Sequence, residues 1–140
     1  MPPSPDAIIR EWFQEVWTEG REETIDRLMA ANALVHGLAG ETMQGRDVFK
    51  PFWRAFRGAL SDMRVEVVST TTEGEYVVAY CRVTGVHTGD SLGMPGTGRP
   101  IEITGFTRGR IVDGQIVEGW NTFDFLAFYQ QLGLVPSPVA

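Results

Sequence analysis

The chain has 140 residues, 18 acidic against 12 basic, and a formal net charge of −6. That length supports one domain with a real core and is too short for two, so residues 1–140 are read as one unit with loose ends at 1–4 and 135–140. Acidic and basic residues are interspersed, leaving no basic patch to neutralise a phosphate backbone, and nucleic acid is not an expected partner.

Cys81 is the lone cysteine, so no intrachain disulfide forms and a reducing compartment is the simpler expectation. The start, MPPSPDAIIREWF, has no basic segment leading into an apolar run, and no later stretch is apolar for long enough to span a bilayer. A cytoplasmic protein without membrane contact is expected.

Ser4 and Pro5 supply an N-cap and a first-turn proline. Ile8, Ile9, Trp12, Phe13, Val16 and Trp17 then recur at helical spacing, which predicts a first helix. Residues 22–30 predict a short second helix, and residues 34–36 a short strand. A third helix follows Gly45, with Val48, Phe49, Phe52, Trp53, Phe56 and Leu60 as its apolar stripe. Pro51 implies that it starts near Lys50 or is kinked there.

From Asp62 the residues become β-branched and aromatic, broken by turn signals. Long antiparallel strands are predicted at 63–71, 75–88 and 101–112, and a fourth at 115–123 after Asp113-Gly114. A last helix carries Phe125, Leu126, Phe128 and Leu132 and stops at Gly133. Helices first and a meander second predict an α+β domain with helices packed on one face of an antiparallel sheet.

Turn geometry decides which side chains share a face. A three-residue loop at 112–114 pairs Phe106 with Trp120, Arg108 with Glu118 and Arg110 with Ile116, all on the face shared with Asp124. A two-residue Asp-Gly turn moves Arg108 and Arg110 to the other face. The first register is preferred because it sets opposite charges across from each other.

Two histidines, His36 and His87, with no Cys/His cluster and no HxH or HExxH spacing, give no metal site. Residues 89–100 are glycine-rich but lack a Gly-Lys-Ser/Thr ending and run into a strand, so they read as a rim or lid over a pocket, not a phosphate loop. Cys81 alternates with Val77, Ala79 and Val83 and reads as core.

The element order, with GVHTGDSLGMPGTGRPIE at 85–102, GRIVDGQIVEGW at 109–120 and DFLAFYQQLG at 124–133, resembles the SnoaL-like polyketide cyclase branch of the NTF2-like superfamily over roughly residues 5–135. The resemblance implies a cone-shaped fold around one pocket, a homodimer that covers the open sheet face, and cofactor-free ring closure of a polyketide ester. It implies that Asp124 is the general acid/base and that a histidine partner falls near Arg110, where this chain has arginine. Many members also have a histidine between the glutamate and tryptophan that correspond to Glu118 and Trp120; here Gly119 stands there.

The expected catalytic group is therefore Asp124 with Arg110 or His36 holding a substrate oxygen. The expected substrate contacts are Trp120, Phe106, Trp53, Arg82, His87 and Tyr80, around a small hydrophobic carbonyl compound. Asp124 is equally well read as an N-cap, and Arg110 and Arg82 as ion-paired strand residues. A non-catalytic binder is the alternative from another class. Epoxide hydrolysis is a further alternative, against which Thr84 stands two residues after Arg82 where an aspartate is wanted.

Overall fold

A computed structural model describes residues 3–136. Ser4 caps the first helix, α1 (Pro5–Glu11), accepting the Ala7 N–H at 3.2 Å. The helix continues as a π-helical segment, Trp12–Thr18. That wider winding, with hydrogen bonds reaching to the fifth residue, brings residues five apart toward one face. Trp12 and Trp17 consequently both pack on Phe49, at ring-centroid distances of 5.6 and 6.1 Å.

Next come α2 (Glu22–Leu28), β1 (Met29–Ala39), β2 (Glu41–Gln44) and α3 (Arg46–Ala59). Two expectations need correction here. The short strand at 34–36 is an eleven-residue strand that starts where α2 ends, and β2 is an additional edge strand. Alanine-rich MAANALVHGLA has weak strand propensity, and its extension is imposed by pairing with β2 and β6. Pro51 sits inside α3, which begins at Arg46 and not at Lys50.

The meander consists of β3 (Leu60–Glu73), β4 (Tyr76–His87), β5 (Pro100–Val112) and β6 (Gln115–Phe123), followed by α4 (Phe125–Gln131). The six strands lie in the order β2-β1-β6-β5-β4-β3, with only β1 and β6 parallel. Of the tail at 135–140, residues 137–140 lie outside the described residues, as do 1 and 2 of the other expected loose end.

Strand alternation gives the sheet two unlike faces. Val77, Ala79, Cys81, Val83, Ile101, Ile103, Thr107 and Ile111 are buried on the inner face, against helices that contribute Ile9, Trp17, Phe49, Phe56 and Phe128. Trp53 belongs to this core, its indole N–H donating to the Val16 carbonyl at 2.9 Å. Among the described residues, no helix is long and apolar enough to cross a membrane.

The β5–β6 turn overturns the expected register. Val112 faces Gln115, so Asp113 (φ 52°) and Gly114 (φ 76°) form a two-residue turn with both centres left-handed, as a type I′ hairpin requires. One strand step on, the register shifts, so that Ile111 faces Ile116 while Arg110 faces Glu118. Beyond that bulge Arg108 faces Trp120, Gly109 faces Gly119, Thr107 faces Asn121 and Phe106 faces Thr122.

Candidate functional site

Between the inner sheet face and the helices lies a cavity open on one side. Trp12, Phe13 and Trp17 of the π segment, Phe49, Phe52 and Phe56 of α3, and Met63, Val83 and Ile103 of the sheet form most of its wall. Thr107, Gly109, Gly119 and Asn121 make up its floor on β5 and β6. Leu38, Phe52, Phe123 and Phe125 keep some solvent exposure and mark the open side.

The floor holds two kinds of pair. Gly109 and Gly119 are directly opposed; Ile9 packs over Gly109, where a Cβ would meet its Cδ1 at 3.2 Å, and the backbone of Gly119 is left uncovered. Beside them the buried Thr107 hydroxyl donates to Asn121 Oδ1, and Asn121 Nδ2 donates to the His36 carbonyl at 2.9 Å. A backbone carbonyl only accepts, so this contact fixes which end of the amide is nitrogen. The close approach of β1 that it needs depends on Gly37 (φ 85°), where a Cβ would stand 1.9 Å from the Asn121 carbonyl oxygen.

None of the residues lining this cavity is ionisable. Sequence reasoning did not single out Thr107, Asn121 or Gly109, and it weighed Gly119 only as a departure from the family pattern. The signal was nonetheless present. Ile101, Ile103 and Ile111 alternate with Glu102, Arg108 and Arg110, and a strand with one buried face turns its apolar set inward.

The expected site residues mostly occupy the opposite, outer face. Arg110 Nη2 pairs with Glu75 at 3.1 Å, and Arg82 Nη1 with Glu66 at 3.2 Å. Phe106 is 52% exposed and packs on Tyr80 at 4.9 Å. Trp120 lies under the Arg108 guanidinium, 4.1 Å from the ring centroid, and stacks on His36 at 5.5 Å. His36 Nε2 donates to Glu118 Oε2 at 2.6 Å, while Nδ1 lies 2.8 Å from the Thr42 hydroxyl. Phe106, Arg108, Arg110, Glu118 and Trp120 do share one face, but the cavity is on the other.

Asp124 stands apart from both groups. It is exposed at the N-cap of α4, its Oδ1 accepting the Ala127 N–H at 2.9 Å, and its backbone N–H donates to the Thr104 carbonyl. Its neighbours Phe123 and Phe125 both line the cavity, so the carboxylate sits beside the open side without lining the interior.

His87 is fully buried and anchors the 88–99 loop. Its Nδ1 accepts the Thr97 N–H at 3.1 Å, which places the ring proton on Nε2. The loop is further held to the end of α3 by the Thr88 and Gly89 N–H groups, both donating to the Ala59 carbonyl. No residue of 88–99 lines the cavity. Cys81 is buried among apolar side chains, which pushes its thiol up to about 12. Among the described residues no cluster of three or more His, Cys, Asp or Glu side chains could hold a metal ion.

Comparison with known proteins gives this architecture its relatives. A family model described as SnoaL-like polyketide cyclase matches residues 7–132. The chain is 27% identical over 136 residues to aklanonic acid methyl ester cyclase DauD of Streptomyces sp. (strain C5), covering 95% of this chain and 83% of the relative. Among solved structures it is similar to IdmH of Streptomyces antibioticus, a candidate polyketide cyclase, with a TM-score of 0.81 and 30% identity over 94% of this chain and 99% of that one. A SnoaL-like protein from Jannaschia sp. CCS1 superposes with a TM-score of 0.85 at 23% identity, over 94% and 93% of the two chains, and shares the α+β cone of NTF2-like proteins. With its cone, its apolar cavity and a match over nearly the whole length, the chain belongs to the SnoaL-like polyketide cyclase family.

Proposed function

We propose that the cavity binds a small, largely apolar, carbonyl-bearing compound and that the protein closes a ring on it without a cofactor. The observation that carries the binding half is the aromatic wall with a single amide–hydroxyl pair in its floor, the pattern of a site that takes an apolar body and orients it through few polar contacts.

For the chemical half, Asp124 is the acid/base. Its place between Phe123 and Phe125 on the open side lets it reach the part of a ligand that extends from the cavity. Such a role is compatible with the cap, because Oδ1 holds the Ala127 N–H while Oδ2 is left to take and return the proton. Aklanonic acid methyl ester, the compound named for the Streptomyces relative, is the first to try. Asp124→Asn is expected to keep the fold and the binding while turnover falls by about 10²- to 10⁴-fold. An unchanged rate would remove Asp124 from the chemistry.

A second reading, a non-catalytic binder, is favoured by one observation: the cavity lining carries no ionisable side chain. Native mass spectrometry of freshly purified protein separates the two, since a retained carbonyl compound released unchanged supports the binder and an altered one the enzyme. In either case we propose a homodimer formed through the outer sheet face, where Phe106, Val68 and Tyr76 are exposed. A monomeric mass by light scattering at micromolar concentration would contradict it. The lone, buried cysteine supports a reducing, cytoplasmic setting.

A further inference from the structure

We propose that the floor of the cavity is a recognition shelf: the edge of a flat ring lies on the bare backbone of Gly119, and a ligand carbonyl accepts the second amide hydrogen of Asn121. It rests on the binding half of the proposed function and is independent of Asp124. Gly119 matters because it sits one step along the ladder from Thr107 and Asn121, while the facing Gly109 is covered by Ile9, whose Cδ1 would stand 3.2 Å from a Cβ there. A Cβ at position 119 would have only Asn121 Nδ2, at 3.9 Å, within 4 Å. The space over that backbone is therefore unfilled cavity, and the residue that stands there sets how deep a ring can enter.

The amide is held for one job. Asn121 Oδ1 is occupied by the Thr107 hydroxyl, and one Nδ2 hydrogen by the His36 carbonyl. What remains is one N–H on the cavity side. Thr107 has given its only hydrogen to the amide, so toward a ligand its oxygen can act only as an acceptor. The floor thus offers one donor from Asn121 and one acceptor from Thr107, which matches a carbonyl, or a carbonyl with a hydroxyl close by, and mismatches an anion or a cation. Thr107 is a positioning residue, acting through the amide.

Size narrows the ligand further. The cavity encloses about 80 Å³, less than the roughly 150 Å³ that holds benzene in an engineered core. Because it is open on one side and too small to enclose a whole ring, the carbonyl-bearing edge of a ring reaches Gly119 while the remainder of the molecule stays between Phe52, Phe123 and Phe125.

The test uses the full chain and two single-ring probes of nearly equal shape, acetophenone and ethylbenzene, with affinities measured by calorimetry or ligand-observed NMR. In the native protein acetophenone is expected to be favoured relative to Asn121→Leu, so the ratio of the two affinities drops by about tenfold in that variant. Thr107→Val is expected to lower the same ratio by a smaller factor. Because Asn121→Leu also releases the His36 carbonyl and could unfold, Gly119→Val supplies a second arm that leaves the polar pair in place. It is expected to weaken both probes by about tenfold or more with cooperative unfolding retained. A ratio that does not change in Asn121→Leu, a Gly119→Val protein that binds both probes as well as the native one, or no binding of either probe at millimolar concentration overturns the proposal. Each readout is equilibrium binding with Asp124 intact, so a failure here is distinct from an unchanged rate in Asp124→Asn.

Discussion

The two faces of β5 and β6 are built from the same eight or so residues of each strand and do opposite work. On the inner face Thr107, Gly109, Gly119 and Asn121 are small or neutral and border an apolar cavity. On the outer face Arg108, Arg110, Glu118 and Trp120 carry charge and aromatic area, and their partners are one another, Glu75, Tyr76 and His36. Side chains that look most chemical in the sequence are on the face with solvent to spare, because an ionised group is costly in a cavity that offers it no partner. Chemical-looking residues and the residues that line the cavity are therefore largely different sets in this chain.

The largest expected effect that sharpens the contrast comes from the inner side. Phe49 is 1% exposed and lies against both Trp12 and Trp17, so Phe49→Ala is expected to cost about 3–5 kcal/mol in urea unfolding. Phe106→Ala, exposed in a single copy, is expected to cost the monomer under about 1 kcal/mol while shifting the proposed dimer toward monomer in light scattering, and a monomer loss as large as that of Phe49 would contradict the outer placement of Phe106.

Gly37→Ala comes next. A Cβ there meets the Asn121 carbonyl oxygen at 1.9 Å on a left-handed backbone, so a loss of about 1–3 kcal/mol is expected together with weakened ligand binding, because β1 and Asn121 separate. Stability without loss of binding would uncouple the amide from its clamp.

Cys81 tests the inner face by pH. Burial raises the folded thiol to about 12 from an ordinary value of 9.0, so the folded state keeps a proton that the unfolded state releases. Its contribution to stability is fully present below pH 9 and is lost as pH rises from there toward 12. Cys81→Ala is expected to flatten that alkaline decline, and the native thiol is expected to stay unlabelled by iodoacetamide at pH 8 in the folded protein. Rapid labelling without unfolding would show that the inner face is open there.

The smallest effect is expected at Arg110. Its pairing with Glu75 is solvent-exposed, and Arg110→Ala should change stability by no more than about 1 kcal/mol and leave ligand affinity unaltered. A tenfold loss of affinity would return Arg110 to the site.

Much of the architecture was legible because long apolar periodicities are strong signals. The α1 and α3 stripes, the four meander strands and the Asp113-Gly114 turn all leave a direct trace in the residue pattern. The π winding at Trp12–Thr18 did not, since residues 8, 9, 12, 13, 16 and 17 fit an ordinary helix equally well. The length of β1 was hidden too, because it comes from partners elsewhere in the chain.

The site was less legible than the fold for one physical reason. A single bulge between the Asp113-Gly114 turn and Glu118 sets every later pairing of β6 with β5, and nothing in IVDGQIVEGW announces it. Choosing a register by charge pairing grouped Phe106, Arg108, Arg110, Glu118 and Trp120 as the structure does, but added Ile116, which lines the cavity, and assigned the whole group to the cavity. Asp124 was legible in its capping role, where a short acidic side chain at a strand-to-helix junction accepts an amide.

The central claim is that ligand meets the inner face of β5 and β6 and not the outer one, and the four tryptophans report on it directly. Trp12 and Trp17 line the cavity, Trp53 is packed in the core, and Trp120 is on the outer face. Fluorine NMR of the 5-fluorotryptophan-labelled protein, assigned by single Trp→Phe variants, should show the Trp12 and Trp17 resonances moving as acetophenone is added while Trp120 stays in place. Movement of Trp120 with Trp12 and Trp17 unchanged would contradict the account.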